Sequence, residues 1–180
     1  TGMINGTVTF GSINLVSNEY YDIFIAKLSS SGSWEWAVTV GGQFPDYGRG
    51  IAVDSSGNVY VTGGFDGTVN FGNTDLTGTE NDAFIAKLSS SGSWQWAIKV
   101  GGYDADSGQG ISVDQSGNAY VTGYFAGEAT FGSTKLTSNG QTDIFIAKLS
   151  SSGSWEWAVN AGGLSSEIGA DIEIDPSGNA

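Results

Sequence analysis

The sequence predicts an all-β fold made of repeated antiparallel sheets with four main strands each. Three observations carry this prediction. The chain of 180 residues repeats itself about every 60 residues, apolar and polar residues alternate within the repeated blocks, and glycine-containing turns separate the blocks. No segment has a helical period longer than a turn, so no helix is expected.

Two long blocks define the repeat. The first reads DIFIAKLSSSGSWEWAV from Asp22, DAFIAKLSSSGSWQWAI from Asp82 and DIFIAKLSSSGSWEWAV from Asp143, at spacings of 60 and 61 residues. The second reads GRGIAVDSSGNVYVTGGF from Gly48 and GQGISVDQSGNAYVTGYF from Gly108, and GADIEIDPSGNA near the C-terminus matches its first part. A shorter block, GTVNFG in its second copy, follows the second block, so the order within one unit is fixed.

Each unit contains strand candidates in a constant order, namely GIAVD, NVYVTG, DAFIAKL and WQWAIKV, with an extra hairpin predicted in GTVNFGNTDL. The turn VDSSGN has a clear mechanism. The Asp54 carboxylate can cap it, and Gly57 can adopt the left-handed backbone that such a loop needs. The loop LSSSGSW uses Gly92 in the same way, so each unit reads as two hairpins.

The faces of these strands predict their places in the sheet. Both faces of DAFIAKL are apolar, which is typical of an inner strand between two neighbouring sheets. In the tryptophan strand, alternation places Trp34, Trp36, Val38 and Val40 on one face and polar residues on the other. That pattern favours the outermost strand, whose polar face also protects the edge.

Four antiparallel strands per repeat form the blade of a β-propeller. On the blocks GIAVDSSGNVYVTGGF and DAFIAKLSSSGSWQWAIKVGG, the chain resembles the bacterial β-propeller repeat family abbreviated SBBP. The resemblance covers nearly the whole chain. It implies one blade per repeat and a secreted or surface-exposed bacterial or archaeal protein, and it supplies no catalytic residues.

The repeats predict one domain over residues 1–180, with a full blade at 48–107, a full blade at 108–168, and a third blade divided between 169–180 and 1–47. Closed propellers use about 4 to 8 blades. Three interpretations follow: an excerpt from a longer tandem array, two chains closing a six-bladed ring, or a filament of chains. The excerpt is favoured because a subunit that ends inside a strand leaves backbone groups unpaired.

Composition excludes several classes of function. The net charge of −13 disfavours nucleic acid and anionic lipid as partners. The chain has no cysteine and no histidine, which excludes thiolate chemistry and ordinary catalytic triads. No apolar run is long enough to span a bilayer, and the chain starts at Thr1 without a signal-like segment, as a mature product or an excerpt would. We therefore expect a protein without enzyme activity or membrane insertion.

Acidic residues recur in the loops that join one blade to the next. They are Asp46, Asp104, Asp106 and Glu167. Carboxylates at one end of a propeller channel could bind calcium. A solvated acidic rim is the preferred interpretation, on the expectation that these acids do not share one repeated position. No other cofactor is expected.

The aromatic residues supply the candidate ligand site. Indole rings between blades can stack on sugars, and the candidates are Trp34, Trp36, Trp94, Trp96, Trp155 and Trp157, with Tyr47, Tyr103 and Phe44 in the loops. Packing between sheets is the preferred role of the tryptophans because valines continue their face. The sequence therefore predicts a structural or adhesive module of an extracellular assembly, partnered by copies of itself, further tandem blades, glycans or surface proteins, with a carbohydrate-binding propeller as the alternative.

Overall fold

The computed structural model describes all 180 residues, in which seventeen β-strands and no helix occur. The strands are β1 (Gly2–Ile4), β2 (Thr7–Phe10), β3 (Ile13–Val16), β4 (Asp22–Leu28), β5 (Trp34–Val40), β6 (Tyr47–Val53), β7 (Val59–Phe65), β8 (Thr68–Phe71), β9 (Thr74–Thr77), β10 (Asp82–Leu88), β11 (Trp94–Val100), β12 (Ser107–Val113), β13 (Ala119–Phe125), β14 (Glu128–Phe131), β15 (Thr134–Thr137), β16 (Asp143–Leu149) and β17 (Trp155–Ala161). The predicted all-β class is confirmed. With no helix present, none is available to cross a membrane.

Three larger sheets follow one another along the chain. Sheet I contains β1, β4 and β5, sheet II contains β6, β7, β10 and β11, and sheet III contains β12, β13, β16 and β17. Within each sheet the strands lie side by side in the order in which the chain forms them, and all of their pairings are antiparallel. The small hairpins β2–β3, β8–β9 and β14–β15 lie outside these sheets. They are the extra hairpins that the sequence predicted.

Apolar side chains from consecutive sheets form the core. One cluster joins Ile23, Ile25 and Val40 of sheet I to side chains of sheet II such as Phe84 and Leu88. A second cluster joins sheet II to sheet III in the same way. All seven residues of β7 and all seven of β10 are buried, as predicted for strands with two apolar faces.

The capped turns form as predicted. The Asp54 carboxylate accepts hydrogen bonds from the backbone N–H groups of Ser56 and Asn58, each at 2.9 Å, and from the Asn58 side chain at 2.8 Å. Gly57 adopts φ of +80° at the turn. These hydrogen bonds outweigh the effect of burial and lower the pKa of Asp54.

In sheets II and III, two inner strands precede the first small-hairpin strand, namely β6 and β7 in sheet II and β12 and β13 in sheet III. Sheet I has only the short β1 in their place. Its β1 pairs with β4 only from Asp22 to Phe24, so the rest of β4 has no partner on that side. As a result, Leu28 is 50% exposed, whereas its equivalents Leu88 and Leu149 are fully buried. The open side of β4 is called the open edge below.

The last residues of the chain lie beside sheet III without forming a strand. The Gly169 N–H donates to the Gly123 carbonyl at 3.2 Å, and the Ser112 hydroxyl donates to Glu173 at 3.4 Å. The Asp175 carboxylate accepts from the N–H groups of Ser177 and Asn179, which is the same capped turn as at Asp54. Residues 169–180 therefore lie where an inner strand of a further sheet would lie, and they form the same turn. They have no neighbouring strand to pair with.

The difference between Leu88 and Leu28 provides a matched test of the packing. We expect Leu88→Ala to lower the free energy of unfolding by about 2–5 kcal/mol, because it leaves a cavity in a closed core. Leu28→Ala should cost less than about 1 kcal/mol because half of that side chain is already in water. Urea unfolding of the two variants measures both values, and equal losses would contradict the open edge.

Candidate functional site

The two tryptophans of each repeat lie on opposite faces of the outer strand. Trp36 shares a face with Val38 and Val40, as predicted, but the prediction that Trp34 lies on that face too was wrong. The register between β4 and β5 shifts between Lys27 and Leu28, so that Trp36 pairs with Lys27 and Trp34 with Leu28. Because the neighbouring residues Lys27 and Leu28 point to opposite faces of the sheet, their partners Trp36 and Trp34 also lie on opposite faces. A β-bulge, which inserts one residue into β5, is the physical cause.

The first tryptophan of each pair packs on the small hairpin of its own repeat. Each indole meets a phenylalanine ring edge-on, with ring centroids 4.9–5.3 Å apart in the pairs Trp34–Phe10, Trp94–Phe71 and Trp155–Phe131. This geometry is favourable for aromatic pairs. The first tryptophan thus fastens the hairpin to the outer strand, although Trp34 remains 42% exposed.

The second tryptophan reaches the next sheet. The Trp36 indole N–H donates to the carbonyl of Ser90 at 3.0 Å, and that of Trp96 donates to the carbonyl of Ser151 at 3.3 Å. Both indoles also pack against the clusters between sheets. Trp157 holds the same position on sheet III and is 37% exposed. The predicted packing between sheets is therefore confirmed for Trp36 and Trp96.

Three of the four candidate acids do occupy one repeated position, which the sequence analysis overlooked. Asp46 and Asp106 are fully buried, and each accepts a hydrogen bond from the second glycine of its loop, at 2.7 and 3.0 Å. Glu167 accepts the equivalent bond from Gly163. The fourth, Asp104, is exposed. No three potential metal-ligating side chains come together, so these acids brace separate loops instead of sharing a site.

A second set of buried carboxylates was missed from the sequence. Asp22, Asp82 and Asp143 open the strands β4, β10 and β16 and are almost completely buried. Their repeated position at the start of the blocks DIFIAKL and DAFIAKL was the signal that could have revealed them. One carboxylate oxygen of Asp22 and one of Asp82 have no hydrogen-bond partner.

The two sets of acids meet in pairs. In sheet II, oxygens of Asp82 and Asp106 both crowd the point beside Gly101 where a larger residue would place its Cβ atom. Lys99 forms a 3.0 Å ion pair with the other oxygen of Asp82. Burial, followed by the nearby charge of Asp82, raises the pKa of Asp106 to about 7, although Lys99 and backbone hydrogen bonds oppose this. Chemically, such a pair is suited to hold a proton.

The three aromatic residues predicted in the loops differ in their surroundings. Tyr103 is 88% exposed and Phe44 is 47% exposed, over Gly67. Tyr47 is half-buried and lines a pocket of about 390 Å³ together with Arg49, Asp66, Asn81, Ser107 and Tyr124. Only Tyr47 among the predicted ligand residues therefore belongs to a polar, concave surface.

The raised pKa of Asp106 gives stability a defined pH dependence. Its pKa is about 7 in the folded chain against an ordinary value of 3.8, so between these pH values the folded state binds more protons than the unfolded state. The free energy of unfolding should therefore fall as pH rises from about 4 to about 7. Asp106→Asn resembles the protonated form and does not ionise. It should therefore remove the part of the pH-dependent decrease that Asp106 causes, and raise the free energy of unfolding at pH 8 by up to ~4 kcal/mol.

Asp104→Asn is the control for Asp106→Asn because it changes an exposed acid in the same loop. It should leave the pH dependence unchanged. Urea unfolding at pH 5 and pH 8 measures both variants, and a loss of stability at pH 8 in Asp106→Asn would show that the ionised form is the one that the fold requires.

Comparison with known proteins identifies relatives among repeat proteins. The chain is 27% identical to "Uncharacterized WD repeat-containing protein L264" of Acanthamoeba polyphaga mimivirus, over 92% of this chain and 14% of that protein. It is also 27% identical to "Regulatory protein FlaEY" of Caulobacter vibrioides, over 73% of this chain and 14% of that protein. The chain therefore spans about a seventh of the length of either relative.

A family model described as "Beta-propeller repeat", SBBP, matches residues 35–63 and 95–124. Each match runs from the outer strand of one sheet into the two inner strands of the next, β5–β7 in the first case and β11–β13 in the second. The matched unit thus links consecutive sheets. The predicted resemblance is confirmed: the SBBP β-propeller repeat model matches this chain at two places.

Proposed function

We propose that the chain is a non-enzymatic structural or adhesive module of a secreted or cell-surface protein or extracellular assembly. The observation that carries the proposal is the packing of each sheet on the next, because both main clusters combine side chains of two consecutive sheets. A scaffold of this kind is extended by adding repeats. The SBBP repeats and the WD-repeat relative support a repeat protein.

The proposed partner is a further set of inner strands placed on the open edge. An apolar cleft of about 200 Å³ lies there, lined by Ala26, Leu28, Trp36, Ile51, Val53 and Val59. Ile51 and Val53 are 42% and 59% exposed, although Ile111, the equivalent of Ile51, is buried. An inner strand like residues 169–180, from another copy of this chain or from a tandem blade, would cover these side chains.

Two copies joined in this way would make a ring of six blades, within the range of about 4 to 8 that closed propellers use. The strand pairing would satisfy the free backbone groups of β4 and of residues 169–180 together. The same pairing in one direction only would produce a filament, and tandem blades would produce a longer propeller. Nucleic acid and inserted membrane are not among the proposed partners, in keeping with the net charge of −13.

The proposed lack of enzyme activity rests on composition, and the proposed extracellular location rests on the resemblance to the SBBP family. A chain without cysteine and histidine has neither a thiolate nor an imidazole for catalysis. Its strongly acidic surface favours solubility of a strand-rich protein outside the cell. The bacterial or archaeal surface location extends the family resemblance to this chain.

The open edge predicts self-association that depends on Leu28. We expect multi-angle light scattering to give a mass that rises with concentration for the 180-residue chain. Leu28→Arg should weaken the association at least about tenfold because it places a charge in the apolar cleft. Leu164→Arg, at an 89% exposed loop position, makes the same chemical change and should have no effect. A monomer at every concentration would contradict association of copies.

Carbohydrate binding is the second candidate function. The observation that favours it is the incomplete cover of Trp157 and Trp34, whose indoles are 37% and 42% exposed. An exposed indole offers an apolar face to the C–H face of a sugar ring. Trp36 and Trp96 are less suited because they are hydrogen-bonded to the next sheet.

A glycan array of the wild-type chain and two variants tests this second candidate. Trp157→Ala should keep the fold and reduce glycan binding at least about tenfold. Trp36→Ala should instead destabilise the protein by about 3–5 kcal/mol, because it empties the space between two sheets. Unchanged binding by Trp157→Ala, or a wild-type chain that binds no glycan, would contradict a tryptophan sugar site.

A further inference from the structure

Arg49 is distinguished from every other cationic side chain of the protein. It is the only arginine among six basic residues, and it forms no ion pair. The five lysines are each within ion-pair distance of a carboxylate, in the pairs Lys27–Glu35, Lys87–Asp54, Lys99–Asp82, Lys135–Glu128 and Lys148–Glu156. In a chain with 19 acids, a free guanidinium needs an explanation.

The guanidinium of Arg49 is held at the pocket that Tyr47 lines. Its central carbon lies 5.2 Å from the centroid of the Tyr47 ring, a distance typical of a cation–π contact. Tyr124 is half-buried in the same pocket, where it is paired with Ser107 across sheet III. The volume of about 390 Å³ lies within the ~300–1,000 Å³ usual for small-ligand sites.

Polar groups complete the pocket between the two tyrosines. Asp66 follows β7, and Asn81 precedes β10. Asn81 is the only non-glycine residue with a positive φ, at 53°, and its side-chain amide donates to the Asp106 carbonyl at 3.1 Å. That hydrogen bond fixes the amide and leaves its oxygen available as an acceptor. Strained backbone of this kind is often kept where a site requires it.

The pocket exists once, although the framework is repeated three times. Each lining position carries different residues in the equivalent places of the repeats: Tyr47, Ser107 and Ile168; Arg49, Gln109 and Ala170; Asp66, Ala126 and Asn5; Asn81, Thr142 and Tyr21; Tyr124, Gly64 and Met3. Strand packing does not demand these side chains, since the other repeats fold the same strands without them. Their combination therefore points to a ligand.

We propose that this pocket binds a saccharide that carries a carboxylate. A guanidinium can bind a carboxylate through two parallel hydrogen bonds. Tyrosine rings can cover the apolar faces of a sugar ring, while Asp66 and Asn81 can accept hydrogen bonds from its hydroxyl groups. This inference is independent of the proposed structural role and of the exposed tryptophans.

Isothermal titration calorimetry with two sugars of the same shape tests the proposal. A galacturonic acid trimer is compared with a galactose trimer, which lacks only the carboxylates. We expect the acidic trimer to bind at least about tenfold more tightly than the neutral one. Arg49→Gln should reduce the affinity for the acidic trimer at least about tenfold, and Tyr47→Ser should weaken the binding of both trimers.

The variants are chosen so that the fold and the net charge are controlled. Gln109 and Ser107 hold the equivalent places on β12, so both substitutions are compatible with this strand. Lys27→Gln removes one positive charge from a side chain that does not line the pocket, and the affinity of this variant should stay within about twofold of wild type. Equal losses in Arg49→Gln and Lys27→Gln would show a general charge effect and overturn the proposal. So would equal binding of the two trimers, or no binding of the acidic trimer.

Discussion

The central strands of the three main sheets, β4, β10 and β16, have two apolar faces, and this single constraint governs the rest of the structure. A sheet that is apolar on both sides cannot be stable in water unless another sheet covers each face. Sheet II meets the condition through sheets I and III, and the seven residues of β10 are consequently all buried. Sheet I lacks its inner strands, and there leucine and valine side chains are exposed. The burial that stabilises sheet II is therefore the same kind of burial that the proposed partner would complete on sheet I.

The polar groups that this architecture buries are satisfied mainly by short, repeated devices. Asp54 caps its turn, and the indole N–H groups of Trp36 and Trp96 find carbonyl groups on the next sheet. The buried carboxylate pairs are less completely satisfied, since Asp22 and Asp82 each retain one oxygen without a partner. Burial raises the pKa of Asp22, Asp46 and Asp106, and protonation of Asp46 or Asp106 relieves the repulsion within its pair.

Repetition also separates what the fold needs from what a ligand needs. Residues that hold the sheets together recur at every repeat, as Phe24, Phe84 and Phe145 do on β4, β10 and β16. Residues at the ends of the inner strands differ between repeats, as Tyr47 and Ser107 do at the starts of β6 and β12. The surroundings of Arg49 lie in this freer region. One repeated scaffold can therefore carry a single asymmetric pocket without any change in its core.

The sequence by itself determined the all-β class, the strand order within a unit, the extra hairpins and the capped turns. All of these follow from local alternation and turn chemistry, which a strand and its adjacent loop contain in full. It failed for Trp34, because one residue inserted by a bulge after Trp34 moves this indole to the face opposite Trp36. Only the tertiary structure brought Asp82 beside Asp106 and placed Arg49 and Tyr124 in one pocket. These groupings join different strands or sheets, and alternation within one strand carries no information about them.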